Sequence, residues 1–380
     1  MSKEVRIGVI GNGQIGTMHV KRWQEIEGVR LVALCDILPE RAEELARQYN
    51  VPHTFKWFRD LLAMDEIDAV DVCVHNNKHA PIAVAALEAG KHVFTEKPMA
   101  GAYVDARAMV EAAQRTGRMF SMQLGTLFSP ETRAAKRLID EGLLGECYYA
   151  KSSSYRRRGR PYVDGYGRAE FVQKGIAGGG AFYDMGVYHI SQVLYLLGSP
   201  KVLTISGSTH QEVEMYPERR ESGHYGVEEL GVGLVRLEGG ITFFIEEAWA
   251  IHLGGTDGSK IAGTKGGVTL KPFAFHTTIG DMEMDGVFDL GAAETRWGRC
   301  YPETAAYRSP QHHWAAALKG EVELLPTHQI GLKTMLISEG VYLSQRLGRE
   351  VTPDEVLQHS ISTAERGLYD GYPPTAPATT

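Results

Sequence analysis

The amino-acid sequence predicts an α/β protein of two domains: a doubly wound parallel sheet, then an α/β domain whose open sheet is mainly antiparallel. The chain has 380 residues, more than one ordinary hydrophobic core contains. Residues 1–125 alternate short apolar strand patterns with helical ones, which is typical of a parallel sheet. Beyond residue 145, longer strand patterns are joined by glycine turns. We expect domains at 1–125 and 126–365 and an extended tail at 366–380.

Runs rich in valine and isoleucine predict the strands of the N-terminal domain, and apolar residues at helical spacing predict its helices. Proline opens one helix and glycine closes another, as both residues commonly do. The predicted strands are 5–10, 29–36, 69–76, 92–96 and 119–124. The predicted helices are 15–26, 39–50, 78–90 and 102–117.

The second domain is predicted from four longer strand patterns, at 146–156, 201–211, 227–252 and 259–270. Glycine-containing turns at 238–240 and 264–267 indicate hairpins. A helix over 181–198 is expected to pack on this sheet. We expect a final helical segment, 332–348, to pack back on the N-terminal domain.

Composition excludes several classes of protein. Hydrophobic residues make up 43% and charged residues 23% of the chain, as in globular proteins. The net charge of −7 argues against nucleic-acid binding. No apolar run is long enough to span a membrane, and no signal-peptide pattern opens the chain. The four cysteines lack metal-binding spacing. We therefore expect a cytoplasmic protein that binds neither membranes nor a metal.

The stretch GNGQIG at 11–16 predicts a dinucleotide site. Three glycines at this spacing occur readily by chance, but here they follow a predicted strand and open a predicted helix, as in Rossmann domains. Gly11 allows the tight turn, Gly13 lets the backbone approach a pyrophosphate, and Gly16 permits close packing of helix on sheet. The amides of Gln14 and Ile15 would then face phosphate from the helix N-terminus.

Asp36 ends the second predicted strand, 20 residues after Gly16. A carboxylate there accepts hydrogen bonds from the ribose hydroxyls of NAD and repels the 2′-phosphate of NADP. The sequence therefore predicts NAD as the cofactor, with NADP disfavoured.

Two further stretches carry reactive side chains. Glu96, Lys97 and Pro98 follow a predicted parallel strand, at the sheet edge where such folds bind ligands. A lysine there could hold a substrate hydroxyl and lower its pKa. The stretch GGGAFYDMGVYHIS at 178–191 places Asp184, Tyr188 and His189 on the first turns of a predicted helix.

With GNGQIG, HAPIAVAALEAGKHVFTEKP and GGGAFYDMGVYHISQVLYLLG together, residues 4–350 closely resemble the Gfo/Idh/MocA family of oxidoreductases. The resemblance implies a Rossmann domain followed by an open-faced α/β domain. It implies an NAD(P)-dependent dehydrogenase of sugars, cyclitols such as inositol, or their derivatives. It also implies a homodimer or homotetramer built through the open sheet.

The resemblance also implies roles for individual residues. Lys97 matches the family's catalytic lysine, Glu96 would lie beside the nicotinamide, and Asp184 matches a substrate-binding aspartate. Asn76 and His79 match a cofactor loop in which His75 replaces the usual proline. The family's acid/base, most often histidine, stands four residues after the aspartate, where this chain has Tyr188.

Two residues therefore compete for proton transfer. In a regular helix Tyr188 shares a face with Asp184, while His189 is turned about 100° away. This favours Tyr188. His189 has the better-matched pKa, and a distorted first turn after three glycines could bring it inward.

The basic stretch YRRRGRPY at 155–162 has two interpretations, a solvated or oligomer-facing run and a lid that contacts substrate or cofactor. For the lid, the candidate substrate-binding residues are Arg156, Arg158 and Tyr162. His252, His312 and His313 are minor candidates for a site. Two other functions stay open: a glycoside-processing enzyme that oxidises a sugar transiently with tightly bound NAD, and an NAD-sensing protein without catalysis.

Overall fold

The structure is a computed structural model that describes residues 4–255 and 258–369. Contacts between Cα atoms divide the described chain into two units. The first unit contains 4–123, 303–332 and 362–369, and the second contains 124–302 and 333–361. The first crossing lies within two residues of the predicted boundary at 125. The two returns of the chain to the first unit were not part of the predicted division, and the end of the predicted tail, 370–380, lies outside the described residues.

The first unit begins with alternating strands and helices. Its strands are β1 (Val5–Ile10), β2 (Val29–Cys35), β3 (His53–Phe55), β4 (Ala69–Val72), β5 (His92–Thr95) and β6 (Phe120–Met122). The helices between them are α1 (Gln14–Gln24), α2 (Pro39–Tyr49), α3 (Phe58–Leu62), α4 (Asn76–Glu88) and α5 (Tyr103–Thr116). The short β3 and α3 were not predicted.

All six strands form one parallel sheet in the order β3-β2-β1-β4-β5-β6. This is the Rossmann order, and it places the carboxyl ends of β1 and β4 at the point where the order reverses, the usual ligand edge. The core beneath the sheet contains Trp23, Phe94 and Trp314, whose rings lie 5.4–5.9 Å apart. Trp314 belongs to residues 303–332, where the chain returns to the first unit.

The second unit contains the remaining elements up to residue 302. Its strands are β7 (Cys147–Tyr155), β8 (Val202–His210), β9 (Leu230–Leu237), β10 (Ile241–Ala248), β11 (Lys260–Gly263), β12 (Gly267–Leu270), β13 (Phe273–Ile279) and β14 (Met282–Val287). Its helices are α6 (Pro130–Asp140), α7 (Lys174–Ala177), α8 (Val187–Leu196), α9 (Pro217–Ser222) and α10 (Leu290–Cys300). Three helices follow in the described part of the chain: α11 (Pro310–Lys319), α12 (Thr327–Leu347) and α13 (Pro353–His359).

The eight strands form an open sheet in the order β14-β13-β12-β11-β7-β10-β9-β8. Among these described strands, only β7 and β10 pair in parallel, and the other neighbours are antiparallel. Side chains on one face are buried, as at Val235, Phe243 and Ala150. The predicted fold class, a Rossmann sheet plus a second, mainly antiparallel sheet, is confirmed.

The packing of segment 332–348 on the N-terminal domain stays a prediction. From residue 333 onward, helix α12 belongs to the second unit. Its Val341 lies against the backbone of β8 and β9, and Ser344 Oγ accepts a hydrogen bond of 3.1 Å from the Gly207 amide of β8. The helix follows the sheet because its apolar face fills space that glycines leave open there. Helix α11 carries the chain back to the first unit.

Candidate active site

The glycine loop between β1 and α1 has the shape that a dinucleotide requires. Gly11 has φ of +91°, a value suited to glycine, and a Cβ there would overlap with the Cys73 carbonyl oxygen. At Gly16 a Cβ would overlap with the Gly11 carbonyl. At Gly13, by contrast, a Cβ would meet nothing within 4 Å. Gly11 and Gly16 therefore serve the fold, whereas Gly13 leaves open space before the first turn of α1, which begins with Gln14 and Ile15.

Asp36 lies just beyond β2 and is 7% exposed. Its Oδ2 accepts a hydrogen bond of 2.7 Å from the Asn12 amide, and its Oδ1 accepts one of 2.9 Å from the Leu38 amide. The carboxylate thus holds the glycine loop, and each oxygen keeps a lone pair. The side-chain amide of Asn12 is 4% exposed and has no hydrogen-bond partner among the described residues. An unpaired buried amide beside open space fits a polar ligand at this loop.

The E-K-P stretch begins where β5 ends, at the carboxyl edge of the sheet. Glu96 Oε1 lies 2.8 Å from His19 Nε2, and Glu96 Oε2 accepts a bond of 2.9 Å from the Lys97 amide. His19 Nδ1 lies 2.7 Å from Asp71 Oδ2, which also accepts a bond of 2.6 Å from Trp23 Nε1. Glu96 is therefore tied to an interior network.

The charges in this network follow from its geometry. The side chain of His19 is 1% exposed and both its ring nitrogens face carboxylates. Burial opposes its charged form, but the carboxylate of Asp71 outweighs burial, and the pKa of His19 lies well above its ordinary value. Burial alone would raise the pKa of Glu96, yet the bond and charge of His19 hold it below the ordinary value. The two carboxylates therefore favour the protonated form of His19 that lies between them.

His19, Asp71 and Cys73 place their possible metal-ligating atoms within 4.8 Å of one another. Both ring nitrogens of His19 are engaged by carboxylates, so no ring lone pair remains for a metal ion. Burial also raises the pKa of the Cys73 thiol, which disfavours the thiolate that metals bind. The chemistry of these donors does not fit a metal site.

The loop after β4 carries the other predicted cofactor residues. His75 precedes α4 and Asn76 begins it, so the helix starts two residues earlier than predicted. His79 is fully buried between the carbonyl oxygens of Pro98 and Val74, at 2.8 and 3.0 Å. Burial lowers the pKa of His79. Its position links this loop to the backbone that follows Lys97.

In the second unit, the glycine stretch at 178–180 lies against the buried carboxylate of Glu228. Gly180 and Phe182 donate their amides to the two carboxylate oxygens of Glu228, at 2.9 and 3.0 Å. Tyr342 donates its hydroxyl to the same carboxylate at 2.9 Å. A Cβ at Gly180 would overlap with the Glu228 backbone. The glycines thus let a carboxylate bind amides at the start of the following helix, a favourable position for negative charge.

The predicted helix over 181–198 is not regular. Phe182–Gly186 forms a π-helical turn, and α8 continues from Val187. Such turns contain an extra residue and occur often at functional sites. Asp184, Tyr188 and His189 are partly exposed, whereas most residues around them are buried.

The π-helical turn changes which side chains lie together. Asp184 Oδ2 accepts a bond of 2.9 Å from Trp249 Nε1, and His189 Nδ1 lies 3.0 Å from Glu247 Oε2. Glu247 and Trp249 are two residues apart on or just beyond β10, so both face the same side. Asp184 and His189, five residues apart, therefore reach the same strand.

The basic loop that follows β7 is tightly organised. Arg160 is fully buried and forms ion pairs with Asp164 and Glu229, at 2.9 and 2.8 Å. Arg156 donates a bond of 2.7 Å to the Tyr166 hydroxyl. Burial raises the pKa of Tyr166 to about 12. Sequence reasoning did not single out Arg160, although it bonds Asp164 within the loop and also donates to the carbonyls of Val213 and Glu214.

Arg158 and Tyr162 each stack in a cation–π pair. The Arg158 guanidinium lies 5.2 Å from the ring of Tyr216, and the Arg219 guanidinium lies 4.6 Å from the ring of Tyr162. Tyr162 also has φ of +59°. A substrate role for Arg156, Arg158 and Tyr162 stays a prediction.

The three minor histidine candidates differ in how much of their side chain is exposed. His252 is exposed, His312 is half-buried beside Ser309, and His313 is 1% exposed and accepts a bond of 2.9 Å from the Leu325 amide. Burial lowers the pKa of His313 to about 4.

Several residues of the site were not predicted from the sequence: His19, Asp71, Glu228, Glu247 and Trp249. For His19, a polar residue on the buried face of α1 was an available signal.

Comparison with known proteins identifies the family. Residues 5–124 match the model of the Gfo/Idh/MocA oxidoreductase family with its NAD-binding Rossmann fold. Residues 132–269 match the C-terminal domain model of the same family. The two matches span more than half of the chain. The chain belongs to the Gfo/Idh/MocA family. It is an oxidoreductase, and NAD is its cofactor.

Similar proteins include named dehydrogenases. D-glucoside 3-dehydrogenase of Escherichia coli K12 is 28% identical over 284 residues, 73% of this chain and 80% of the relative. The scyllo-inositol 2-dehydrogenase (NAD(+)) of Bacillus subtilis is 28% identical over 284 residues, 73% of this chain and 78% of the relative. A structure of levoglucosan dehydrogenase with NADH superposes with a TM-score of 0.76 at 22% identity, covering 92% of this chain and 98% of that one. The last similarity shows the fold.

No helix in the described part of the chain is long and apolar enough to cross a membrane.

Proposed function

We propose that this protein transfers hydride between NAD and a secondary alcohol of a sugar, a sugar derivative or a cyclitol. The observation that carries the proposal is the set of three partly exposed polar side chains on one otherwise buried helix, two of them held by β10. Family membership and the two relatives that act on a glucoside and an inositol support the substrate class. A polyol presents several adjacent hydroxyls, which such a cluster can bind.

The glycine loop and the first turn of α1 would hold the pyrophosphate of NAD, and Asp36 its adenosine ribose. The open space at Gly13 and the unpaired Asn12 amide are consistent with this. NAD supplies the hydride acceptor or donor. His75 and Asn76 would border the nicotinamide half, while buried His79 holds their loop in place.

Lys97 and Asp184 would bind the substrate. A lysine ammonium beside the reacting hydroxyl stabilises negative charge on its oxygen as the proton leaves. Asp184, whose Oδ2 accepts a bond from Trp249, would accept a hydrogen bond from a neighbouring hydroxyl. These roles rest on the match of both residues to the family's motifs.

We assign proton transfer to His189 and keep Tyr188 as the alternative. The argument for Tyr188 assumed a regular helix, in which residues four apart share a face. The π-helical turn adds a residue, so His189 joins Asp184 at β10. A neutral imidazole is also a better proton acceptor near pH 7 than a phenol.

The test is a substrate panel of glucosides, free sugars and inositols, followed by absorbance at 340 nm with NAD and with NADP. We expect turnover of at least one member with NAD. Lys97→Ala should lower kcat by about 10²- to 10⁴-fold, the usual contribution of such a group. Lys21→Ala, an exposed lysine of α1, is the matched control and should keep full activity.

Unchanged turnover in Lys97→Ala would refute the assignment. Glycoside cleavage without added NAD and without net change at 340 nm would instead identify the alternative enzyme with tightly bound cofactor. Binding of NAD with no turnover across the panel would favour the sensing function.

We also propose that the outer face of the second sheet joins copies of this chain. Leu234 of β9 is 36% exposed there, and Phe244 and Lys151 lie beside it in register. Exposed apolar residues on a sheet face favour burial against a partner. Light scattering after size exclusion should show a dimer or tetramer. Leu234→Glu should shift it toward monomer, and Leu143→Glu, an exposed leucine outside the strands, should not.

A further inference from the structure

Glu247 is a buried carboxylate that faces the candidate proton-transfer residue. It lies on β10 and its side chain is fully buried. Its Oε2 is 3.0 Å from His189 Nδ1, and its Oε1 accepts a bond of 2.5 Å from Ser152 Oγ. Both oxygens therefore have fixed partners, one of which is a partly exposed imidazole. A buried carboxylate in this arrangement restricts both the rotation and the tautomer of the ring.

The neighbouring residue Glu246 has different surroundings from Glu247. Glu246 points to the other side of β10, because side chains alternate along a strand. There it pairs with Lys151 at 3.0 Å. Glu247 has no cationic residue at ion-pair distance among the described residues other than His189. A buried carboxylate without a permanent counter-ion is costly, so a purely structural role gives little reason for it here.

We propose that Glu247 is a positioning residue for the reaction, holding His189 with Nδ1 protonated so that Nε2 exchanges the substrate proton. The proposal rests on the proposed function, in which His189 is the acid/base. In alcohol oxidation, the hydroxyl proton would move to Nε2 as the carbon that bears this hydroxyl loses hydride to NAD and its C–O single bond becomes a carbonyl. The resulting imidazolium would keep its Nδ1–H bond to the Glu247 side chain. Reduction reverses each transfer.

Trp249 orients Asp184 in the way that Glu247 orients His189. It donates its indole N–H to Oδ2, which restricts the orientation of the aspartate. Glu247 and Trp249 lie two residues apart and face the same side, so one short stretch of chain, EAW at 247–249, orients two polar side chains of the neighbouring helix. Within the stretch EEAWAIH at 246–252, the residues that orient these side chains are therefore Glu247 and Trp249, whereas His252 is exposed.

The experiment compares Glu247→Gln with Glu246→Gln, the same substitution one residue away on the opposite face. With the best substrate from the panel, Glu247→Gln should lower kcat by about 100-fold with KM changed less than about 3-fold, since orienting partners of catalytic histidines contribute on this scale. Glu246→Gln should stay within about 2-fold of the parent protein. Glu247→Asp, which keeps the carboxylate, should recover part of the lost activity.

A second measurement needs no turnover. Histidine ¹⁵N chemical shifts of the holoprotein, with the His189 signals identified by their loss in His189→Gln, report which ring nitrogen carries the proton. The parent protein should show the Nδ1–H tautomer at His189, and Glu247→Gln should show a larger Nε2–H fraction. If Glu247→Gln does not fold, Ser152→Ala, which removes one bond to the carboxylate, should give a smaller change in the same direction.

Equal kcat in the two glutamine variants, or an unchanged His189 tautomer in Glu247→Gln, would overturn the proposal. A protein that turns over no panel member but shows the tautomer change would refute the proposed function and leave the positioning intact. Activity lost with His189 unmoved would show that Glu247 acts in some other way.

Discussion

Replacing His19 by glutamine removes the positive charge that lies between two interior carboxylates. In the structure His19 bonds Asp71 at 2.7 Å and Glu96 at 2.8 Å, and the three side chains are 1%, 0% and 13% exposed. Glutamine can donate to one carboxylate but neutralises neither. Removing one partner from a buried ion pair costs about 3–5 kcal/mol. We expect the free energy of opening of the first unit to fall by this amount.

Hydrogen–deuterium exchange resolved by peptide is the suitable assay, because a two-unit protein need not unfold in one step. At 1.36 kcal/mol per factor of ten, the loss corresponds to exchange about 150-fold to several thousand-fold faster in β1, β4 and β5. His53→Gln, an exposed histidine of the same unit, is the control. Exchange in His19→Gln within about 5-fold of the parent protein would refute the charge assignment.

The pH dependence provides a second check of the same network. The folded-state pKa of His19 is raised, so the stability it contributes is fully present below its unfolded pKa of about 6.5 and is lost as pH rises through the folded value. The folded-state pKa of Glu96 is lowered, so its contribution is present above about 4.5 and is lost as pH falls through the folded value. In His19→Gln the buried carboxylates favour proton uptake, so the variant should gain stability as the solution is acidified from neutral pH.

Two other predictions concern the first unit. Gly13→Ala should leave the melting temperature within about 2 °C, because the added Cβ meets nothing, but should weaken NAD binding at least about 10-fold by filling the space left for cofactor; calorimetric titration measures the affinity, and unchanged binding would contradict the proposed pose. Asp105→Ala removes the carboxylate that accepts bonds from Ser362 Oγ at 2.6 Å and the Thr363 amide at 3.0 Å. Limited proteolysis should then cut near 362 at least about 5-fold faster, and equal cleavage rates would show that other contacts hold this segment.

The sequence was most informative where structure is local. The turn at 11–16 and the helix that follows it depend on neighbouring residues, so strand, glycine loop and helix could be predicted within about two residues. Apolar strand patterns likewise predicted most strands of both sheets, but not β3, β13 or β14. The π-helical turn could not be predicted in this way. It forms where Glu228, more than 40 residues later in the chain, binds the amides of Gly180 and Phe182.

The residues of the candidate site likewise divide into those that local sequence predicts and those that depend on distant parts of the chain. Lys97 and Asp184 stand in motifs whose spacing is visible in the sequence. The residues that hold the site's side chains, His19 for Glu96 and Glu247 for His189, come from other elements, and pairing across a fold leaves no mark in the spacing of either partner. The pair Glu246 and Glu247 illustrates this, since two identical neighbours have opposite surroundings.

The return of the chain to its first unit affects how the protein is made. Trp314 completes the aromatic core around Trp23 and Phe94, but it is synthesised about 190 residues after Gln123. At typical elongation rates this takes roughly 10 to 40 s. During that interval the nascent Rossmann sheet has an unfilled apolar face, while the second unit is still emerging. A truncated chain ending near residue 125 would keep that face exposed, so the cofactor domain cannot be excised as an independent module without supplying helix α11.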